Sequence, residues 1–260
     1  GLSLGGYPAS RRPRDRRIEA NLGLKSVNKE VAVDVEIWSD IACPWCYVGK
    51  RRFEAALSRF EHRDEVTVVW RSFELDPEAP AERTGDRAEH LARKYGMSLE
   101  QARAAEAQIT ETAAGDGLEF RFDIARGGNT FDGHRIVHLA RAHDLQDAMK
   151  ERLLRAYFSE GELISDPETL VRLATEVGLP RDQAAQALAD GGYADEVRDD
   201  ERTASSLGIS AVPTFVIDRA LGASGAHPPE ALLELLNEGW ARRPPVGVVA
   251  DGESCSVDGC

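Results

Sequence analysis

The chain has 260 residues, long enough to bury a sizeable core in one large domain or two interleaved ones. Hydrophobic residues make up 42% and charged residues 30%, and no apolar run approaches the roughly 20 residues a membrane-crossing helix needs. The net charge of −13 argues against a broadly basic nucleic-acid-binding surface.

Residues 1–30 read as a disordered leader or an expression remnant. Five arginines fall between Arg11 and Arg17, and the apolar stretch of a secretory signal is missing. The first strand is predicted where Val31, Val33, Val35 and Ile37 alternate with Ala32, Asp34, Glu36 and Trp38. A helix is expected from about Cys43 to Phe60, because Phe53, Ala56, Leu57 and Phe60 recur at helical spacing. The β-branched and aromatic run from Glu65 to Phe73 predicts the next strand. Residues 81–207 then read as mostly helix. Ser98 and Gln101 have the spacing of a capping box, and Asp166-Pro167 is an N-cap followed by proline at the first helical position, with Gly178 as a stop. Helices are expected over 131–143, 145–160, 180–190 and 194–207, while 118–122 fits either a loop or a short strand. Strand character returns at 212–218, with a hairpin turn near Asp218-Arg219 and a partner strand at 220–223. Pro228-Pro229 opens a last helix, and residues 243–260 read as a flexible tail.

The four cysteines fall in two close pairs, Cys43 with Cys46 and Cys255 with Cys260. This is not the framework of a small secreted disulfide scaffold, and a reducing, cytoplasmic compartment is the expectation. Cysteines kept there tend to be catalytic, redox-sensing or metal-binding. Cys43-Pro44-Trp45-Cys46 follows a strand and starts a helix. The spacing puts two sulfurs within bridging distance. It gives Cys43 the helix N-terminus, where unpaired N–H groups and the macrodipole favour an anion. Cys43 is thus the candidate nucleophile. Cys46, one turn in and more buried, is the candidate resolving thiol. Pro213, inside a strand, is expected at an edge or irregularity and as a candidate cis peptide.

The stretch EIWSDIACPWCYVGKRRFEAAL, the later NTFDGHR (Asn129 to Arg135) and the final SAVPTFVID resemble the DsbA-like thiol–disulfide oxidoreductases, in particular the FrnE-type branch associated with polyketide gene clusters. The resemblance covers roughly residues 32–240. It implies an α/β architecture: a thioredoxin-like fold with a large all-α domain inserted, residues 31–80 and 208–242 flanking a helical domain at 81–207. It also implies disulfide oxidase, reductase or isomerase activity, with Trp45, Val212 and Pro213 as substrate contacts and the insertion as a lid over the site. Relatives that isomerise 2-hydroxychromene-2-carboxylate with glutathione carry Ser where this chain has Cys43, which favours dithiol chemistry here. Asn129 and Thr130 are expected to line the face between domains.

No cofactor is required for that chemistry, with glutathione as a candidate reductant. The expected partner is a disulfide- or thiol-containing protein or small-molecule substrate, with no nucleic acid and no membrane, and the chain itself is expected to be a monomer or homodimer. Asp40 is a candidate for tuning the thiols or shuttling a proton, or a residue of the helix N-cap region. Cys255 and Cys260 are a candidate second redox pair. His134 and His138 share a helix face, but Arg135 stands where a zincin would carry Glu, so ordinary surface or interdomain roles are expected. Trp38 and Phe215 are expected in the core. Three other readings predict different behaviour: a glutathione-dependent isomerase or transferase, a zinc-binding structural protein using the four cysteines, and a chaperone that works without Cys43.

Overall fold

A computed structural model describes residues 33–243. The leader and the Cys255–Cys260 pair lie outside the described residues. A four-stranded sheet has the order β2-β1-β3-β4. The central strand β1 (Val33–Ser39) pairs in parallel with β2 (Val66–Ser72), from Val33 opposite Val66 to Ser39 opposite Ser72. On its other side it runs antiparallel to β3 (Thr214–Ile217), which forms a hairpin with β4 (Leu221–Ser224). Asp218 and Arg219 both have positive φ, +48° and +52°. That pair of left-handed residues is the geometry of a tight two-residue hairpin turn.

The alternating segment forms β1 as expected, and both of its faces are largely buried. Val33, Val35 and Ile37 join the main core, whereas Trp38 packs with Ala204 and Val216 on the other side. Glu36 stays charged on that second face because Arg71 (2.5 Å) and Arg219 (2.8 Å) pair with it. Burial pulls the Glu36 carboxyl upward, but the two guanidiniums outweigh it and hold it below the usual carboxylate range.

On the first face lie α1 (Pro44–Arg59) and α9 (Pro229–Ala241), whose mutual packing is close. Gly239 lets α9 approach: a Cβ there would stand 2.6 Å from Ile217 Cγ2. Between β2 and β3 the chain runs through α2 (Arg87–Tyr95), α3 (Leu99–Gly115), α4 (Phe131–Arg141), α5 (Gln146–Phe158), α6 (Pro167–Glu176), α7 (Arg181–Asp190) and α8 (Ala194–Ser206). The expected caps are made. Ser98 and Gln101 close a capping box, and the Asp166 side chain accepts from Thr169 N–H. Residues 118–122 form no regular element. Phe120 nonetheless stacks on Phe158 at 4.8 Å and on Tyr47 at 6.0 Å, which ties this segment to α1 and α5.

One side chain explains where α5 sits. The exposed edge of β2 offers the N–H and C=O of Trp70, and Gln146 takes both, each at 3.0 Å. The amide acts as one residue of an extra strand and closes that edge. It also lays the first turns of α5 beside α1.

Candidate active site

Cys43 is the N-cap of α1, in extended backbone conformation, with Pro44 at the first helical position. No side chain caps this end; Pro44 has no N–H, and the Cys46 N–H donates to the Cys43 carbonyl at 3.0 Å. Cys43 and Cys46 are both free thiols. Cys43 is 5% exposed and Cys46 is fully buried, so only the first sulfur borders the cleft. The Val212–Pro213 peptide is cis. Cys43 Sγ donates to the Val212 carbonyl at 3.6 Å, while the Pro213 carbonyl is taken by Gly225 N–H at 2.7 Å. Gly49 allows this approach of helix to strand, because a Cβ there would lie 2.8 Å from Pro213 Cγ. Trp45 is 43% exposed beside the thiols. Trp38 and Phe215 are buried.

Asp40 is not part of the helix cap. Its carboxylate is buried and accepts from Leu75 N–H (2.8 Å), Ala42 N–H (3.3 Å) and His134 Nε2 (3.4 Å). Burial works to raise its pKa. The hydrogen bonds from His134 and Leu75 and the Lys150 ammonium outweigh that, and Asp40 stays ionised. Burial holds His134 low, so the neutral imidazole with its proton assigned to Nε2 is the donor. The Cys46 thiol is pushed well up by burial and by Cys43; Lys150 and the Asp40 backbone oppose this.

Lys150 was not visible as a site residue in the sequence. It lies on α5, 1% exposed, and its ammonium donates to the Ser39 carbonyl at 3.2 Å. Burial lowers it to about 8, although Cys46, Asp40 and Cys43 all favour the charge. The available signal was a lysine on an apolar stripe: Gln146, Lys150, Leu153, Leu154 and Tyr157 follow helical spacing, and all five are buried.

His134 and His138 are both buried, not on the surface. His138 Nε2 lies 3.0 Å from Asp200 and 3.1 Å from Ser72 Oγ. Both contacts fall on one ring nitrogen, so Asp200 cannot orient the imidazole toward Ser72 as a hydrolytic triad requires. Among the described residues no group of three or more His, Cys, Asp or Glu is placed to hold a metal ion.

A cleft of about 430 Å³ opens next to Cys43 and Trp45. Its far wall comes from the helical segment, including Arg83, Arg87, His90 and Ile109. The wall cations are already engaged, Arg83 with Asp76 and Arg87 with Glu106. Thr130 lines the cleft, and Asn129 accepts from Phe131 N–H at 2.9 Å at the start of α4.

The profile of the DSBA-like thioredoxin domain family matches residues 34–237. The chain belongs to that family. Among solved structures, a probable DsbA oxidoreductase from Streptomyces coelicolor is 47% identical with a TM-score of 0.78, covering 88% of this chain and 98% of its own. The uncharacterized protein YwbO of Bacillus subtilis is 30% identical over 199 residues, 75% of this chain and 92% of YwbO. The cytosolic disulfide reductase DsbM of Pseudomonas aeruginosa shares the fold at 20% identity, with a TM-score of 0.57 over 79% of this chain and 97% of its own. DsbA-like membership accords with the sheet order, the helices between β2 and β3, and the dithiol at the start of α1.

Proposed function

We propose that the chain is a thiol–disulfide oxidoreductase that works by dithiol–disulfide exchange at Cys43 and Cys46. The observation that carries this reading is the asymmetry of the pair. Cys43 sits at the start of α1, against the Val212 carbonyl and at the border of a cleft, while Cys46 is sealed one turn behind it. Cys43 Sγ attacks a substrate disulfide, forming a mixed disulfide and releasing one substrate thiolate. Cys46 Sγ then attacks Cys43 Sγ, forming the Cys43–Cys46 bond and releasing the second thiolate. Two electrons pass to the substrate, and the same steps in reverse oxidise a dithiol. Trp45, the Val212 backbone and Pro213 border the place where the mixed disulfide forms, and serve as its contacts.

The cleft supports substrates entering between Cys43 and the helical wall, either a small disulfide or an extended loop of a protein. Glutathione is the proposed reductant, and the cytoplasm the proposed setting; the fold relative DsbM is named a cytosolic disulfide reductase. Insulin reduction and scrambled-ribonuclease reactivation, with glutathione as the electron source, test the reading. Wild type should turn over in at least one assay and Cys43→Ser in neither. Full activity in Cys43→Ser would reject it. Replacing Cys255 and Cys260 by Ser in the same assays decides whether the second pair exchanges with the first.

A further inference from the structure

The stretch from Asn129 to Arg135 stands out in the sequence, yet no step of the exchange uses it. In the fold it joins the dithiol loop to the helical segment. Its start faces the cleft: Asn129 N–H donates to the Pro80 carbonyl at 2.9 Å, Asn129 Nδ2 donates to the Pro77 carbonyl at 3.2 Å, and Thr130 lines the cleft. Its end is anchored just past α7, where Arg135 Nε donates to the Gly192 carbonyl at 2.8 Å. Between these ends, Gly133 and His134 meet Ile41 and Asp40 of the loop that leads into Cys43.

Asp40 closes that loop on itself. Its Oδ1 accepts from Ala42 N–H at 3.3 Å, and its carbonyl accepts from Cys43 N–H at 3.4 Å. Those bonds shape the loop but do not locate it in the fold. Two outside donors do: Leu75 N–H on Oδ2 at 2.8 Å, and His134 Nε2 on Oδ1 at 3.4 Å. The Asp40 carboxylate is 2% exposed, so water does not replace a donor that moves away. Where His134 goes, Asp40 follows. Ile41, fully buried, is the second link. It fills the space that Gly133 leaves open: a Cβ on Gly133 would stand 2.7 Å from Ile41 Cδ1.

We propose that Gly133 and His134 are positioning residues for Cys43. They seat Ile41 and Asp40, and through them α4 sets where the loop holds the Cys43 sulfur between the Val212 carbonyl and the cleft. The inference rests on the exchange reading above and adds no covalent step to it. Attack on a disulfide needs the sulfur placed to within a fraction of an ångström, and a misplacement of about 1 Å costs roughly a hundredfold in rate. The same stretch that seats the loop also holds residues 77–80 beside the cleft. The nucleophile and that part of the wall therefore take their places from one helix start.

The test is the rate at which the reduced full chain reacts with oxidised glutathione in a single turnover, read as loss of free thiol well below the unfolding temperature. Gly133→Ala sets a methyl group against Ile41 Cδ1 and should slow the reaction by about tenfold. Ile41→Val removes that Cδ1, so Gly133→Ala/Ile41→Val should recover to within about threefold of wild type. His134→Leu should slow the reaction by about tenfold to a hundredfold, and His134→Gln, whose amide keeps a donor for Asp40, should restore most of it. Thermal unfolding is followed for every variant. Variants that lose stability but react at the wild-type rate would overturn the inference, because the residues would then serve the fold alone. So would a double variant as slow as Gly133→Ala, or a His134→Gln as slow as His134→Leu. Should His134→Leu fail to fold, the Gly133–Ile41 pair decides. Wild type that reacts through Cys43 while these variants are indifferent defeats this inference only. Wild type that does not react, or Cys43→Ser that reacts fully, defeats the exchange reading as well.

Discussion

Lys50 and Lys150 are buried to the same depth, 1% exposed, and their ammonium groups lie 5.6 Å and 5.8 Å from the centre of the same Trp70 ring. Their surroundings are opposite. Lys50 is held by Glu54, by Asp147 at 3.0 Å and by Glu151 at 3.4 Å. Burial pulls Lys50 down, but the three carboxylates outweigh it and raise it above the usual lysine range. Lys150 donates to one backbone carbonyl; Cys46, Asp40 and Cys43 favour its charge, but burial wins. Depth therefore does not decide what a buried charge is for. The partners do. Carboxylates make Lys50 a fixed cation that joins α1 to α5, whereas the environment of Lys150 leaves its proton available near neutral pH.

The largest expected effect sharpens this comparison from the thiol side. Cys43→Ser should lower exchange by about three orders of magnitude or more, measured as insulin reduction. It should also make the Lys150 ammonium titrate at lower pH, because Cys43 is one of the groups that favour its charge, while leaving Lys50 unmoved in the same NMR titration.

Next comes the pH dependence of stability. The unfolded chain keeps a lysine protonated to about 10.4, the folded chain keeps Lys150 protonated only to about 8. Protonation thus opposes folding, so the stability of wild type relative to Lys150→Met should rise as pH climbs from about 8 to 10.4, by about 3 kcal/mol in total. Urea unfolding of both proteins at pH 7.5 and 10 reads it. For Lys50 the sign reverses. Its folded value is raised, so its contribution is complete below the unfolded lysine value and is lost above the folded one. A stability gap between wild type and Lys150→Met that stayed flat with pH would break the comparison.

Lys50→Met should destabilise by about 1–3 kcal/mol, because its carboxylate partners are partly exposed and rehydrate in part. The redox potential should not move. Gly49→Ala should lose a similar 1–3 kcal/mol by forcing α1 away from Pro213. It should lower kcat/KM as well, because it disturbs the Cys43–Val212 contact that Lys50→Met leaves alone. At the small end, Arg242→Ala removes an exposed i,i+4 pair with Glu238 and should change thermal unfolding by about 0.5 kcal/mol or less.

Much of the fold was legible because its signals are local. The periodicity of two around Val35 and the periodicity of 3.6 after Cys43 each arise within a few residues, and so do the Ser98–Gln101 box and the Asp166-Pro167 start. The strand and helix bounds fall within about two residues of expectation for these elements. What covers the second face of β1 is non-local: α8 lies over it, and Trp38 Nε1 donates to the Asp200 carbonyl at 3.0 Å. The interdomain role expected for the histidines likewise took its partners from distant segments. His134 and His138 share a helix face, but each finds its carboxylate, Asp40 or Asp200, on a different segment.

The sequence by itself determined the spacing of the two thiols, the helix that starts at them, and the sheet-and-helix order of a DsbA-like chain. Those features depend on residues three or four apart. Only the tertiary structure decided that the Val212 carbonyl meets Cys43, that Asp40 serves His134 and Leu75 instead of a helix cap, and that Lys150 is buried against the Ser39 carbonyl while Lys50 is caged by carboxylates. The reason is physical. A lysine's charge state inside a protein is set by which groups surround it in space, and the sequence gives both lysines the same side chain.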